Sequence, residues 1–339
     1  NNPDAKPLEE VDALYHGDYS KWLKLANSVK LRLAMRICYV KPDLAKQYAM
    51  EAVRDGVMET ADDSALFQSW GSITIINPLE KIWNGYSDTR MGASMDSYLN
   101  GYNDPRLPVY FQPVTEGDNK GEYRGVANGM PNPQQDDYKA MSAPNVQEKS
   151  TDSPLRWMMA SEVAFLRAEG AMRGWTAEMG GTAEEFYNKG IELSFLENGL
   201  SADAAARYAA DETSKPTDFT DVSAANTKYN ISALGKITIK WNAGASEEEQ
   251  LERIITQKWI AMFPNGTEAW SEFRRTGYPL IFPVRSNYPT SGVDTNKQIR
   301  RMVFPQSEYS NNGAAVQEAV KLLGGPDNGG TKLWWDKKN

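Results

Sequence analysis

Two aromatic side chains in the first third of the chain lie among polar neighbours in a pattern that suits carbohydrate binding. Trp83 and Tyr86 are three residues apart, outside any amphipathic stripe, and Asn84, Asp88 and Arg90 flank them. Flat rings stack on the apolar C–H faces of sugars and lose little conformational entropy on binding. Amide, carboxylate and guanidinium groups supply hydrogen bonds for the sugar hydroxyls. We therefore predict that these five residues form a ligand-binding site.

Three further aromatic residues are candidates for the same role. Trp70 and Tyr123 lie in the same segment, which is rich in glycine, proline and asparagine, and Trp241 ends an alternating run at 236–241. Long loops of this composition in a compact protein are often functional. The alternative for all of these aromatics is structural, because rings in a loop can also pin that loop onto a helical layer.

The sequence offers little for catalysis or metal binding. The one histidine, His16, precedes a helix in a turn-like stretch, and no zinc, phosphate-loop or dinucleotide motif occurs. The nearest approach to a calcium loop, at 116–122, has Lys120 where a third ligand is needed and Ala127 where the bidentate glutamate belongs. We therefore predict no catalytic residue, no metal site and no cofactor.

Carboxylates are plentiful, so a pair of them in a glycosidase arrangement stays open as an alternative. Glu162 and Glu169 are the most interesting candidates, because Glu162 falls on the apolar face of its predicted helix. The structural interpretation, which we favour, is an ion pair of Glu162 with Arg32 or Arg36 across a helix interface. Arginine suits such buried, bidentate contacts.

Length and charge narrow the class of protein. A chain of 339 residues can hold one large domain or two ordinary ones. The net charge of −8, with no Lys/Arg block, argues against nucleic acid and anionic lipid as partners. No apolar run reaches the roughly 18 residues of a membrane span. The single cysteine, Cys38, excludes an internal disulfide.

Three helical hairpins with caps and apolar stripes are predicted, at about 18–56, 153–200 and 246–277. The third is the clearest of them. Ser246 and Glu249 form a capping box at its start, apolar residues then recur at helical spacing, and Gly277 ends its second helix.

Loops of a different composition separate these hairpins. An insert at about 57–150 carries most of the candidate aromatics, and the alternation at 236–241 predicts one short strand. The sequence therefore predicts a mainly α protein. Its helical hairpins would pack as an irregular solenoid layer, with a loop-rich second layer on the opposite side and little β structure.

Five stretches resemble, in the same order, the second SusD-like branch of the SusD/RagB family. They are GDYSKWLKLANSVKLRLAMRI at 17–37, YNDPRLPVYF at 102–111, SEVAFLRAEGAMRGW at 161–175, QKWIAMFPNGTEAWSEFRRTGYP at 257–279 and KLWWDK at 332–337. The resemblance implies a single domain over 1–339 that corresponds to the C-terminal two thirds of the family fold, with hairpins of tetratricopeptide-like type. It also implies a preceding N-terminal part with a lipidated cysteine.

The function that this resemblance implies is non-enzymatic. Such proteins are lipoproteins on the outer face of the outer membrane, where they capture nutrients, mostly glycans, for a SusC-like TonB-dependent transporter. We therefore expect oligosaccharide binding at the cell surface and delivery to that transporter. Peptide capture, a helical-repeat scaffold that binds only protein, and a glycoside hydrolase stay open as alternatives.

Overall fold

The computed structural model describes residue 6 and residues 8–87, 89–131, 134–145 and 153–338, without the side chains of Asn84 and Pro289. Helices contain 46% of these residues. The only sheet among them has two short antiparallel strands, β1 (Ala65–Phe67) and β2 (Leu155–Met158). The predicted mainly α fold with little β structure is confirmed.

The α-helices of the described part follow one another as α1 (Tyr19–Arg36), α2 (Pro42–Arg54), α3 (Pro78–Glu80), α4 (Ala93–Gly101), α5 (Leu107–Tyr110), α6 (Gln135–Tyr138), α7 (Ala160–Met172), α8 (Thr176–Met179), α9 (Ala183–Leu196), α10 (Ala202–Ala209), α11 (Glu247–Ala261), α12 (Gly266–Thr276) and α13 (Gln306–Leu323). A π-helix, Lys81–Tyr86, continues α3. Short 3₁₀-helices lie at Glu9–Val11, Ala61–Asp63 and Pro289–Ser291. No helix of the described part has the length and apolar character that a membrane span requires.

The helical layer is built around α7, which is buried along nearly its whole length. It packs against α1, α8, α9 and α11. One apolar cluster lies between α7 and the first hairpin, and a second lies where α7, α9 and α11 meet α4. Glycine at position 190 of α9 lets that helix approach the ring of Phe165 closely. The insert thus rests on the helices through α4.

Local sequence sets the ends of the third hairpin. The Ser246 side chain accepts a hydrogen bond from the Glu249 N–H at 3.2 Å, which starts α11. Gly277, with φ at 81°, ends α12 in the left-handed conformation that glycine adopts without strain. The Asn265 side chain caps the start of α12 by accepting the Glu268 N–H.

Two predictions about where regular structure begins are wrong. The run at 236–241 forms no strand, and the hydroxyls of Tyr102 and Tyr187 donate to two of its carbonyls instead. Side chains therefore satisfy a backbone that a neighbouring strand would otherwise pair. The second hairpin, predicted to begin at about 153, has no helix there, because β2 comes first and α7 begins only at Ala160.

The apolar stripes predicted for the first hairpin are buried only in part, because Leu25 of α1 and Ala52 of α2 lie in the core whereas larger residues of the same stripes do not. Trp22 and Leu33 of α1 are 38% and 60% exposed, and Leu44 and Tyr48 of α2 are 37% and 38% exposed. The buried positions of α2 are small residues, Ala45, Ala49 and Ala52. Alanines let two helices approach closely, so the larger side chains turn outward.

Candidate functional site

A π-helix carries the two aromatic residues that the sequence singled out. Asn77 caps α3, since its Oδ1 accepts the Leu79 N–H at 3.0 Å, and the chain then continues as the π-helix. The π-helix ends at Ser87, whose φ is 52° and whose N–H donates to the Trp83 carbonyl at 2.9 Å. Rare helical turns and left-handed non-glycine residues cost free energy and cluster at functional sites.

Three side chains of this π-helix form a largely apolar ridge. Ile82 is 37% exposed, Tyr86 is 58% exposed and Trp83 is half-buried. We call these three residues the ridge. The backbone of Asn84 belongs to the π-helix, but its side chain and the whole of Asp88 lie outside the described residues, so their predicted roles stay predictions.

Arg90 positions the ridge. Its guanidinium carbon lies 5.0 Å from the centre of the Trp83 ring, within cation–π range. The same guanidinium donates to four backbone carbonyls at 2.7–3.2 Å, those of Ser87, Thr89, Tyr138 and Lys139. The sequence predicted Arg90 as a donor to the ligand, whereas the structure uses its donors to hold the π-helix against α6.

A cleft of about 440 Å³ adjoins the ridge, and we call it the first cleft. Three segments line it, 87–92, 126–130 and 134–139. Met91, Met130 and Tyr138 give it apolar surface, while Asn128 and Gln135 bring amide groups that can both donate and accept. Its described lining includes no carboxylate. A volume of this size is typical of small-ligand sites.

Tyr138 contributes a protonated hydroxyl at the floor of the first cleft. Burial, together with the carboxylates of Asp221 and Asp137, raises the pKa of the Tyr138 phenol. The hydroxyl donates to the sulfur of Met130 at 3.1 Å, a weak acceptor. It therefore stays neutral at physiological pH and remains able to donate to a stronger acceptor.

Trp70 is held by the N-terminal segment. Its indole N–H donates to the Glu9 carbonyl at 2.7 Å, and the His16 ring lies over it with centroids 3.6 Å apart. One ring face is thereby covered, although the side chain is 37% exposed. Trp70 and His16 together join the N-terminal segment to the insert.

Tyr123 and Trp241 are not brought to the ridge. Tyr123 is half-buried and packs against the second apolar cluster. Trp241 is only 8% exposed, and its ring lies 5.3 Å from that of Tyr187 in the same cluster. Little of either ring is open to a sugar, so the structure favours the structural alternative for both.

The candidate acid/base residues are committed to ion pairs. Glu162 accepts from the Arg32 Nε and Nη2 at 2.7 and 2.6 Å, which confirms the predicted pair. Burial alone would raise the pKa of Glu169, but Arg275 and Arg173 hold it at about 2. Both glutamates are at most 1% exposed. Among the described residues, no group of three or more metal-ligating side chains is arranged to hold an ion.

The sequence missed the residues that line the first cleft at 126–130 and 134–139. The signal was present in the Asn, Gly, Pro and Gln residues of that stretch, which is typical of a binding loop. The sequence does not show the tertiary contacts, in which Arg90 and Gln135 bring this stretch to the π-helix.

Comparison with known proteins assigns the chain to a family of outer membrane lipoproteins. The SusD-like family model, described as SusD and RagB outer membrane lipoprotein, matches residues 1–336. No curated protein matches. Among solved structures, a chitin-binding SusD homologue from Flavobacterium johnsoniae is 43% identical, with a TM-score of 0.90 over 99% of this chain and 67% of that one.

Two other solved structures are similar. A SusD-like protein from Bacteroides thetaiotaomicron is 44% identical, with a TM-score of 0.89 over 98% of this chain and 67% of that chain. A SusD homologue from Bacteroides vulgatus is 37% identical, with a TM-score of 0.91 over 98% of this chain and 66% of that chain. The chain thus spans about two thirds of the length of these relatives.

Proposed function

This chain belongs to the SusD-like family of SusD and RagB outer membrane lipoproteins, and from that premise we propose that it binds an oligosaccharide without cleaving it. The bound glycan is held at the outer face of the outer membrane and passed to a SusC-like TonB-dependent transporter. The observation that carries the proposal is the ridge beside the first cleft, where exposed Tyr86 and half-buried Trp83 adjoin amide groups and no described carboxylate lines the cleft.

The geometry suits reversible capture of a sugar chain. The exposed ring of Tyr86 offers an apolar face to one sugar unit, and the amides of Asn128 and Gln135 suit the hydroxyls of the next. Binding must be weak enough to allow delivery. A Kd between about 1 mM and 1 µM corresponds to roughly −4 to −8 kcal/mol, which a few such contacts can supply.

Two buried ion pairs support a non-catalytic role. A glycosidase needs two carboxylates on either side of the bond that it cleaves. The two strongest candidates, Glu162 and Glu169, are buried and paired with arginines. We therefore assign the protein a binding role alone.

A glycan array tests the proposed function. Purified protein should be retained on oligosaccharides and should release no new reducing ends from them during long incubation. Because a relative binds chitin, oligomers of N-acetylglucosamine are the first ligands to include. If the protein binds peptides and no glycan, the proposal is replaced by peptide capture. If it releases reducing ends and a substitution of one carboxylate abolishes that release, the proposal is replaced by hydrolysis.

A further inference from the structure

A second cleft, of about 490 Å³, lies at the other end of the segment that carries the ridge. Residues 77–79 line it, just before the π-helix, whereas Ser87 and Arg90 at the far end of the π-helix line the first cleft. Along a second segment, residues 134–139 line the first cleft and residues 144–145 line the second cleft. The two clefts therefore flank the same pair of segments.

The walls of the second cleft are aromatic and amide side chains. Trp157, which is 50% exposed, and part-exposed Phe263 supply rings, and the buried Tyr110 packs against Phe263 with ring centroids 4.8 Å apart. Four asparagines also line the cleft, at positions 77, 145, 198 and 265. Rings beside groups that both donate and accept suit a sugar unit with its adjacent hydroxyls.

Arg156 is the one charged side chain among the described residues of this lining. Its Nη2 donates to the Asn198 Oδ1 at 2.9 Å and to the Glu197 carbonyl at 3.3 Å, at the end of α9. Its Nη1 is buried and has no hydrogen-bond partner. No described carboxylate lies within ion-pair distance of this guanidinium. A buried, unsatisfied charged donor is costly, so it calls for a functional explanation.

Asn77 adds an unused donor to the same cleft. The residue is only 8% exposed and lines the cleft, and its Oδ1 is committed to the Leu79 N–H. Its Nδ2 has no partner among the described residues. The Asn77 amide and the partly exposed Arg156 guanidinium thus both have an N–H group without a protein partner, while the described lining holds no negative charge. The cleft is suited to an acidic acceptor.

We propose that the second cleft is a subsite for a sugar unit that carries a carboxylate, with Arg156 as its charge partner and Asn77 as a neutral donor. The proposal rests on the proposed function and adds a substrate class to it, namely glycans that contain uronate units. Since the clefts flank the same segments, one oligosaccharide can contact the ridge and the second cleft together. A free peptide carboxylate would share the charge but would make less use of the rings and the amides.

Calorimetric titration of matched ligands tests this. Oligosaccharides that contain glucuronate or galacturonate are compared with neutral oligosaccharides of the same length and linkage, at about 0.15 M salt so that long-range effects of exposed charges are screened. The variants are Arg156→Gln, Arg156→Lys and, as a matched control, Arg207→Gln, which removes an exposed arginine of α10 outside the cleft. Unfolding temperatures are measured for all four proteins.

The wild type should bind the acidic member of a pair about tenfold more tightly, as expected for a charge-assisted hydrogen bond. Arg156→Gln should abolish this preference, so that it binds the acidic and the neutral member with similar affinity, whereas Arg207→Gln should behave as the wild type. A wild type that binds both members equally would overturn the inference and leave the proposed function standing. Binding of neither member to any protein would overturn both.

If Arg156→Gln fails to fold, Arg156→Lys tests whether Arg156 causes the preference for the acidic ligand. Lysine keeps the charge but cannot form a bidentate contact, so the preference for the acidic member should fall several-fold. An unchanged preference in a folded Arg156→Lys or Arg156→Gln protein would contradict the role of this residue. Tighter binding of a tetrapeptide with a free C-terminal carboxylate than of any uronate would assign the cleft to peptides and overturn the inference.

Discussion

Glu162 shows how a charge is kept inside the helical layer. Its side chain is 1% exposed, both of its oxygens accept from Arg32, and the Lys258 Nζ lies 3.8 Å away. Burying an ion pair is tolerated only with geometry of this quality, because each ion gives up its hydration. Removing one partner leaves the other charge without compensation.

Glu162→Gln should therefore destabilise the protein by about 3 kcal/mol, as expected when a buried pair is broken. Glu212→Gln is the matched control, because Glu212 also pairs with a basic residue, Lys240, but at the surface. The control should leave the unfolding transition unchanged. Denaturant unfolding measures both variants, and equal midpoints for Glu162→Gln and the wild type would contradict the structural role of this pair.

Glu252 is a source of pH dependence. Burial, with a further contribution from the Glu249 carboxylate, raises the pKa of Glu252 from 4.5 to about 7, and one of its oxygens is buried without a partner. Between these two pH values the folded protein holds a proton that the unfolded chain has released. The contribution of Glu252 to stability therefore falls as the pH rises from 4.5 to 7.

Glu252→Gln removes this penalty. At pH 8 the variant should be more stable than the wild type by about 1–2 kcal/mol, a value reduced for the partial exposure of the side chain. At pH 4.5, where Glu252 is protonated in the folded protein, the difference should shrink towards zero. Thermal unfolding at the two pH values measures this, and a difference that does not change with pH would contradict the account.

At the scale of the helices, stability depends on the close packing of α9 against α7, and a substitution of Gly190 tests this. A methyl group added at this position of α9 would lie 2.7 Å from the Phe165 ring of α7, which is fully buried. Gly190→Ala should destabilise the protein by about 1–3 kcal/mol through overpacking, although alanine is the better helix former.

Gly266→Ala is the control for that substitution. Nothing lies within 4 Å of a Cβ built at this position in the first turn of α12. The control should unfold at the wild-type denaturant concentration or slightly above it. A Gly190→Ala protein that is as stable as this control would show that α7 and α9 have room to separate.

Helix ends could be predicted from sequence because a cap is a local interaction. Ser246 and Gly277 act at the ends of α11 and α12 as their residue types require. The buried faces of α1 and α2 could be predicted only in part, because apolar residues occur on two sides of these helices. The alanines at 45, 49 and 52 occupy the interface, a choice that depends on the partner helix.

Extended segments were harder to predict from the sequence than the helices were. The run at 236–241 has the alternation of a strand, but its carbonyls are bonded by Tyr102 and Tyr187, which are distant in sequence. The strand β2 has no such alternation signal and pairs with β1, about 90 residues earlier. Neither outcome can be read from local propensity, because both depend on long-range partners.

At the scale of the whole molecule, the insert supplies the ridge and the first cleft, and it shares the second cleft with residues 153–157, Asn198 and 263–267. The sequence predicted Trp83 and Tyr86 from their polar surroundings, and they do share one π-helix. Trp241 looked equivalent in sequence but packs in the core, because burial depends on the assembled fold. The cleft residues at 126–139 could not be predicted, since Arg90 connects them to the ridge only in three dimensions.

The most direct test of glycan binding at the ridge is the Kd of Trp83→Ala for an oligosaccharide found on the array. Stacking a sugar face on the indole removes about 50–80 Å² of apolar surface from water, worth 1–2 kcal/mol. The account predicts a loss of affinity of about tenfold or more, with stability within about 1 kcal/mol of the wild type. The control Trp334→Ala, at a tryptophan that is 63% exposed and lines neither cleft, should bind as the wild type does. Unchanged affinity in Trp83→Ala together with a large fall in unfolding temperature would contradict the account, because it would show that Trp83 is a core residue and that the sugar binds elsewhere.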